Sequence, residues 1–182
     1  MTNNFLKLNE AKTDALLVGK SAKLQKIPDK DITIAGTKIQ FSDCVKYLGV
    51  HIDTQLTLNQ HIRHMTSIAY LQLRRIASIR SCLTKKAAST LVITLVLSLL
   101  DYCNSLMAGA TQGQLQRLQR LQNIGSRIVA RPPRTAQVSP ILRTLHWLLV
   151  QRRIEHKIIC TVFKCVSDVA PLYLQTLKPT RS

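Results

Sequence analysis

The sequence predicts an α+β chain that is predominantly helical, with a short N-terminal hairpin and strand region followed by a multi-helix bundle. Three observations carry this reading. Up to Asp53 apolar residues alternate, as in "DITIAGTKIQFS" and "VKYLGVHID". Beyond Asp53 they recur at three- and four-residue steps, as in Ile62, Met65, Ala69, Leu73 and Ile76. Apolar side chains make up 46% of 182 residues, enough for a real core.

The elements are taken in chain order. "KTDALLVGK" is a short apolar run ending at Gly19 and reads as a strand. Ile32 and Ile34 precede a turn at Ala35-Gly36, and Ile39 and Phe41 come after it, which predicts a hairpin. Val45 to Asp53 reads as one strand, with Leu48, Val50 and Ile52 on one face and Tyr47, Gly49 and His51 on the other. A glycine inside a strand marks a close approach by another backbone or ligand, or else a bulge. A lone strand pair also leaves an edge open to self-association.

The first helix, through Ile62 to Ile76, is decorated by Arg63, Arg74, Arg75 and Arg80. A second starts at an N-cap, Thr84, and runs through "LVITLVLSLL" to about Cys103; apolar nearly all round, it is expected at the centre. A third opens with capping-box spacing at Thr111 and Gln114 and stops at Pro132-Pro133. Along it Leu115, Leu118, Leu121, Gly125, Ile128 and Val129 share one side, while Arg117, Arg120, Arg127 and Arg131 fall within about 80° on another. A last helical region begins at Ser139-Pro140, with Pro140 at the first helical position and Trp147 in the core.

Charge narrows the function. The net charge is +17, and residues 61–182 hold eighteen basic against three acidic residues. That balance suits a polyanion, nucleic acid above all, and arginines aligned along a helix match phosphate oxygens along a backbone. The five cysteines are odd in number with no CxxC pair, which predicts free thiols in a reducing, intracellular setting. The longest apolar run is about half the ~20 residues that span a bilayer, and "MTNNFLKLNEAK" lacks the apolar core of a signal peptide. No membrane partner is expected.

Catalytic motifs are few. No G-x-S-x-G, P-loop or H-E-x-x-H occurs. Asp29 and Asp31 suit a hairpin mouth, and no two of the nine acids are adjacent, so a two-metal phosphoryl-transfer site is not expected. His146 and His156 read as packing or surface histidines, with no carboxylate or cysteine at helical spacing, and no metal site is predicted.

Six stretches carry a resemblance: "NFLKLNEAKTDALLVG", "VKYLGVHIDTQLTLNQHI", "LLDYCNSLMAG", "LQRLQNIGSRIV", "LHWLLVQRRIEHKI" and "APLYLQTL". In this order they resemble the C-terminal part of a reverse transcriptase of LINE-type, non-LTR retrotransposons. The resemblance implies that residues 1–55 are the palm edge with a hairpin similar to the primer grip, and that residues 56–182 are the helical thumb and the region after it. It implies that Gly49 lets a primer backbone come close, that Lys46 and Tyr47 sit beside the primer end, and that Lys12 contacts the leaving pyrophosphate. The family's paired aspartates are not in this sequence, so no complete catalytic set is expected and Mg2+ belongs only to the whole polymerase. Leu99 and Leu149 depart from the arginine and proline usual there, and "NIGSR" replaces a more alanine-rich stretch.

The expected function is therefore a reverse transcriptase fragment that grips template-primer RNA-DNA or DNA duplex through phosphates, with Lys46, Arg63, Arg74, Arg75, Arg117, Arg120 and Arg127 as contacts. The alternatives are a stand-alone basic interaction module, presenting the leucine side of Leu115 to Val129 to a partner protein, and a translated mobile-element remnant without function.

Overall fold

The computed structural model describes residues 9, 12–28, 31–34 and 36–176. The chain is mostly helical, with short N-terminal β-hairpins followed by the helices. It divides into two compact units, Met1–Arg63 and His64–Ser182. Asp29 and Ala35, which the sequence assigns to a hairpin, lie outside the described residues.

In the first unit the "ALLV" run forms no strand. A single parallel bridge joins Ala15 to Phe41, and a short helix α1 (Ser21–Leu24) comes next. The predicted hairpin forms from β1 (Asp31–Ile34) and β2 (Thr37–Gln40), with Gly36 at φ 86° in its turn and Ile39 buried. Lys38 Nζ reaches Asp31 at 2.9 Å, so this aspartate serves the hairpin.

Val45 to Asp53 is not one strand. It is a second antiparallel hairpin, β3 (Cys44–Tyr47) with β4 (Val50–Asp53), in which Tyr47 pairs with Val50. The two loop residues, Leu48 and Gly49, have φ of 45° and 83°, the doubly left-handed turn that matches strand twist. Gly49 is needed for the turn itself, and Leu48 and Tyr47 stand in solvent while Val50 is buried.

Asp53 anchors the loop between β4 and the next helix. Its Oδ1 accepts from the backbone N–H of Gln55 (3.1 Å) and Thr57 (2.9 Å), and its Oδ2 from the Thr57 hydroxyl (3.0 Å). These bonds hold a backbone in which Leu56 and Leu58 are both left-handed, at φ 56° and 57°.

The second unit is built on helix α2 (Asn59–Ser78), whose residues Met65, Ala69, Leu73 and Ile76 are buried at the predicted spacing. Arg80 belongs to a separate 3-10 turn (Arg80–Cys82). Thr84 caps α3 (Lys85–Val92), accepting from Ala87 N–H. The apolar run then widens into a π-helical turn, Ile93–Leu97, before α4 (Ser98–Asp101). That turn resets the phase: Val92, Val96, Leu97 and Leu100 are buried, while Ile93 and Leu95 are exposed. The segment is therefore two-faced, contrary to the all-round burial expected of it. Cys103 turns left-handed (φ 51°) into a 3-10 helix, Asn104–Gly109.

Helix α5 (Gln112–Ala130) starts with the full Thr111–Gln114 capping box and ends with Arg131 left-handed at φ 51°. The last helical region is two helices, α6 (Val138–Thr144) and α7 (Val150–Val166), and Pro140 sits two positions inside α6. The break is a paired-bond C-terminal motif: His146 is left-handed (φ 55°), its N–H donates to Arg143 O, and Trp147 N–H donates to Leu142 O at 2.9 Å. Trp147 and Leu142 are both buried. A short α8 (Leu172–Gln175) comes last. Among the described residues no helix is long and apolar enough to cross a membrane. The five cysteines are free thiols.

Burial pushes the Asp53 carboxyl up, but the hydrogen bonds from Thr57 and Gln55 outweigh it and leave the carboxyl below its ordinary value. Its stabilising contribution is thus complete above the unfolded value, near 4, and is lost as pH falls through the lower folded value. Carbon-detected NMR should give an Asp53 midpoint below about 3.9. Asp53→Asn should cost about 1 kcal/mol at neutral pH, because one acceptor for Thr57 is lost, and should abolish the acid sensitivity of residues 53–58 to hydrogen exchange.

Candidate nucleic-acid interface

The interface starts from a repeat in α5. In "LQRLQRLQN" Leu118, Leu121 and Gln122 are buried, Leu115 and Gln119 half-buried, and Gln116, Arg117 and Arg120 exposed. On the leucine side Leu118 and Leu121 are fully buried and Val129 nearly so, while Leu115 and Ile128 are half-buried. Two glutamines are structural, which the hydropathy pattern did not reveal. Gln122, fully buried, donates to Leu148 O at 2.7 Å, and Gln119 accepts from Val150 N–H at 2.9 Å, capping α7. Gln119 Nε2 also donates to Gln122 Oε1 (2.9 Å) and Asn123 Oδ1 (2.8 Å).

Gly125 lets α5 come close to its neighbours. A Cβ there would stand 2.8 Å from Val92 Cγ1, with Leu73 Cδ2 at 3.5 Å and Trp147 Cζ3 at 3.9 Å. Four segments thus converge on a missing side chain. The approach fixes which way the opposite side of α5 faces.

The flank of α5 beside Gly125 borders a groove. A surface cleft of about 580 Å³ between α2 and α5 is lined by Ser67, Tyr70, Leu71, Arg74, Ile124 and Ile128 among others. At about 100° per residue Ile124 lies between Arg117 and Arg131 on the helical wheel, beside Arg120. Arg74 lines the cleft and Tyr70 is exposed in it, while Arg117 and Arg120 are exposed on α5 and do not line it. Guanidinium groups rimming an aromatic and aliphatic groove can bind phosphates while apolar surface meets sugars or bases.

The remaining candidates fall elsewhere. Arg75 is exposed on α2 but does not line the cleft. Arg127 is half-buried and donates from Nη2 to Ala136 O at 2.7 Å, bracing the chain after α5. Arg80 donates to Ile128 O (2.7 Å) and Val129 O (2.9 Å), satisfying carbonyls at the C-terminal end of α5, and to Leu83 O (2.7 Å) just after its own turn. In the first unit Lys12, Lys46, Tyr47, Gly49 and Arg63 are all exposed, Lys46 and Tyr47 on β3 and Gly49 at the hairpin tip.

One expectation about the histidines is corrected. Cys160 stands one helical turn from His156, with Sγ 3.5 Å from Nε2. Two donors alone do not make a metal centre, and among the described residues no group of three or more metal-ligating side chains gathers. No protein-family model, curated protein or solved structure matches the chain.

Gly125→Ala gains helix propensity, worth about 1 kcal/mol, but drives a methyl into a stiff, fully buried valine. The net should be a loss of about 1 to 2 kcal/mol in urea unfolding. Combining it with Val92→Ala should cost at least about 0.5 kcal/mol less than the two single changes added together.

Proposed function

We propose that this chain is the palm edge and thumb region of a LINE-type reverse transcriptase, and that it holds template-primer nucleic acid by its phosphates without carrying polymerase chemistry. The observation that carries the binding half is the α2–α5 cleft, where Arg74 borders an apolar floor in the unit that holds most of the positive charge, with Arg117 and Arg120 exposed farther along α5. The polymerase half rests on the ordered resemblance of the six stretches, with Lys46, Tyr47 and Gly49 on a primer-grip-like hairpin and Lys12 toward the pyrophosphate. No two acids are adjacent in this sequence, so the paired aspartates would have to come from outside it.

Most of the affinity would come from displacing cations from phosphates, so it should fall steeply with salt and vary little with sequence. Fluorescence anisotropy with an RNA-DNA hybrid tests this. Arg74→Gln, Arg117→Gln and Arg120→Gln together should weaken binding at least about tenfold and reduce the slope of log K against log salt by about one per arginine, with unchanged circular dichroism. Wild-type affinity and slope in the triple variant would overturn the assignment of the cleft.

A further inference from the structure

Helix α7 is apolar on two sides. Val150 and Ile154 are buried where it packs on the bundle. On another side Ile159, Val162, Phe163 and Val166 recur at three- and four-residue steps and are 51% to 66% exposed. At about 100° per residue this stripe is about 100° wide, the narrow seam of a helix pair, and Val150 and Ile154 lie about 170° and 130° from its centre. The seam therefore faces away from the bundle, and a helix that is apolar on both sides is normally covered on both.

The apolar surface continues past the end of α7. Asp168 is left-handed (φ 57°) and Val169 N–H donates to Lys164 O at 3.0 Å, a C-terminal motif that commonly sets the position of Val169 against that of Phe163. Val169, with Leu172 and Tyr173 at the start of α8, is among the most exposed apolar residues, at 70% to 80%. The seam and these side chains together bare on the order of 900 Å², where the largest patch of a soluble monomer is about 300–600 Å². A stable interface takes about 800 Å² from each partner.

Charge and shape select a second copy of this chain as the occupant. A chain of net charge +17 repels its own kind, so a self-contact has to be locally neutral. The seam meets that condition. Lys157 and Lys164 project at least about 150° from its centre. Arg152, which continues the seam toward the N-terminus, is paired with Glu155 at 2.7 Å. Turned antiparallel about a two-fold axis between Val162 and Phe163, two copies set Phe163 against the smaller Val162 and Ile159 against the smaller Val166. Each layer of the seam thus pairs a large side chain with a small one.

We propose that α7 and α8 form the interface of an antiparallel homodimer centred on Val162 and Phe163. This contact is independent of the α2–α5 cleft and needs no nucleic acid.

Sedimentation velocity of the full chain, freed of nucleic acid by nuclease, tests the proposal. The wild type should pass from monomer to dimer below about 100 µM. Dimerisation should strengthen as salt is raised, because screening removes the repulsion, whereas phosphate binding weakens. Val162→Lys and Phe163→Glu, both at exposed positions, should each weaken association at least about tenfold with unchanged circular dichroism. Mixed in equal amounts, the two variants should associate at least about tenfold more tightly than either alone, because the introduced ammonium of one copy meets the introduced carboxylate of the other. Wild-type association in either variant, or no gain on mixing, would overturn the proposal. So would a wild type that stays monomeric at about 100 µM. A monomer whose binding to phosphatidylcholine vesicles is lost with Phe163→Glu would give the face to a membrane, and one that binds no vesicle would leave it to another protein.

Discussion

The close contact at Gly125 is the constraint on which the second unit depends. Only hydrogen separates α5 from Val92, and Leu73 and Trp147 close around the same spot. Beside it Gln122 and Ser126 are fully buried, a costly placement unless their polar atoms are bonded. They are: Gln122 holds Leu148 O, and Ser126 donates to Asn123 O at 2.8 Å. Gln119 then fixes the start of α7. Packing and hydrogen bonding thus set one rotation of α5, and that rotation leaves Arg117 and Arg120 exposed and turns Ile124 and Ile128 to the groove.

The same geometry sorts the positive charge. Arg80, Arg127 and Arg153 work inside the fold, two bonding backbone carbonyls and one a carboxylate. An arginine that satisfies buried carbonyls contributes stability more than affinity, so the charge read from composition overstates what is free to meet a phosphate. Among the described residues Arg74, Arg117 and Arg120 have no such internal duty, and they are exposed. On this proposal the cleft is the gripping surface, and the arginines at the ends of helices keep its walls in place.

Much of this was legible because it is local. The caps at Thr84 and Thr111, the hairpin around Gly36 and the inward stripe of α2 all arise from residues within a few positions of each other. What misled was context. The run through Val45 to Asp53 kept its alternation while Leu48 adopted a left-handed turn that leucine rarely takes, so a hairpin read as a strand. The last helix split at His146 because Trp147 is drawn back onto Leu142, a contact that propensity alone does not encode. Of the candidate site, Arg117 and Arg120 were visible as a helical face. The meeting of Tyr70 and Arg74 with Ile124 and Ile128 was not, since it depends on how α2 packs against α5.

Photo-crosslinking from inside the groove tests the central claim most directly. Ile124→p-benzoylphenylalanine and Tyr70→p-benzoylphenylalanine should each crosslink to a bound RNA-DNA hybrid at low salt and lose the crosslink as salt is raised. The same replacement at Ile159, 65% exposed on α7, should not. A bound hybrid that crosslinks from Ile159 as readily as from Ile124, or not from Ile124 at all, would contradict the account.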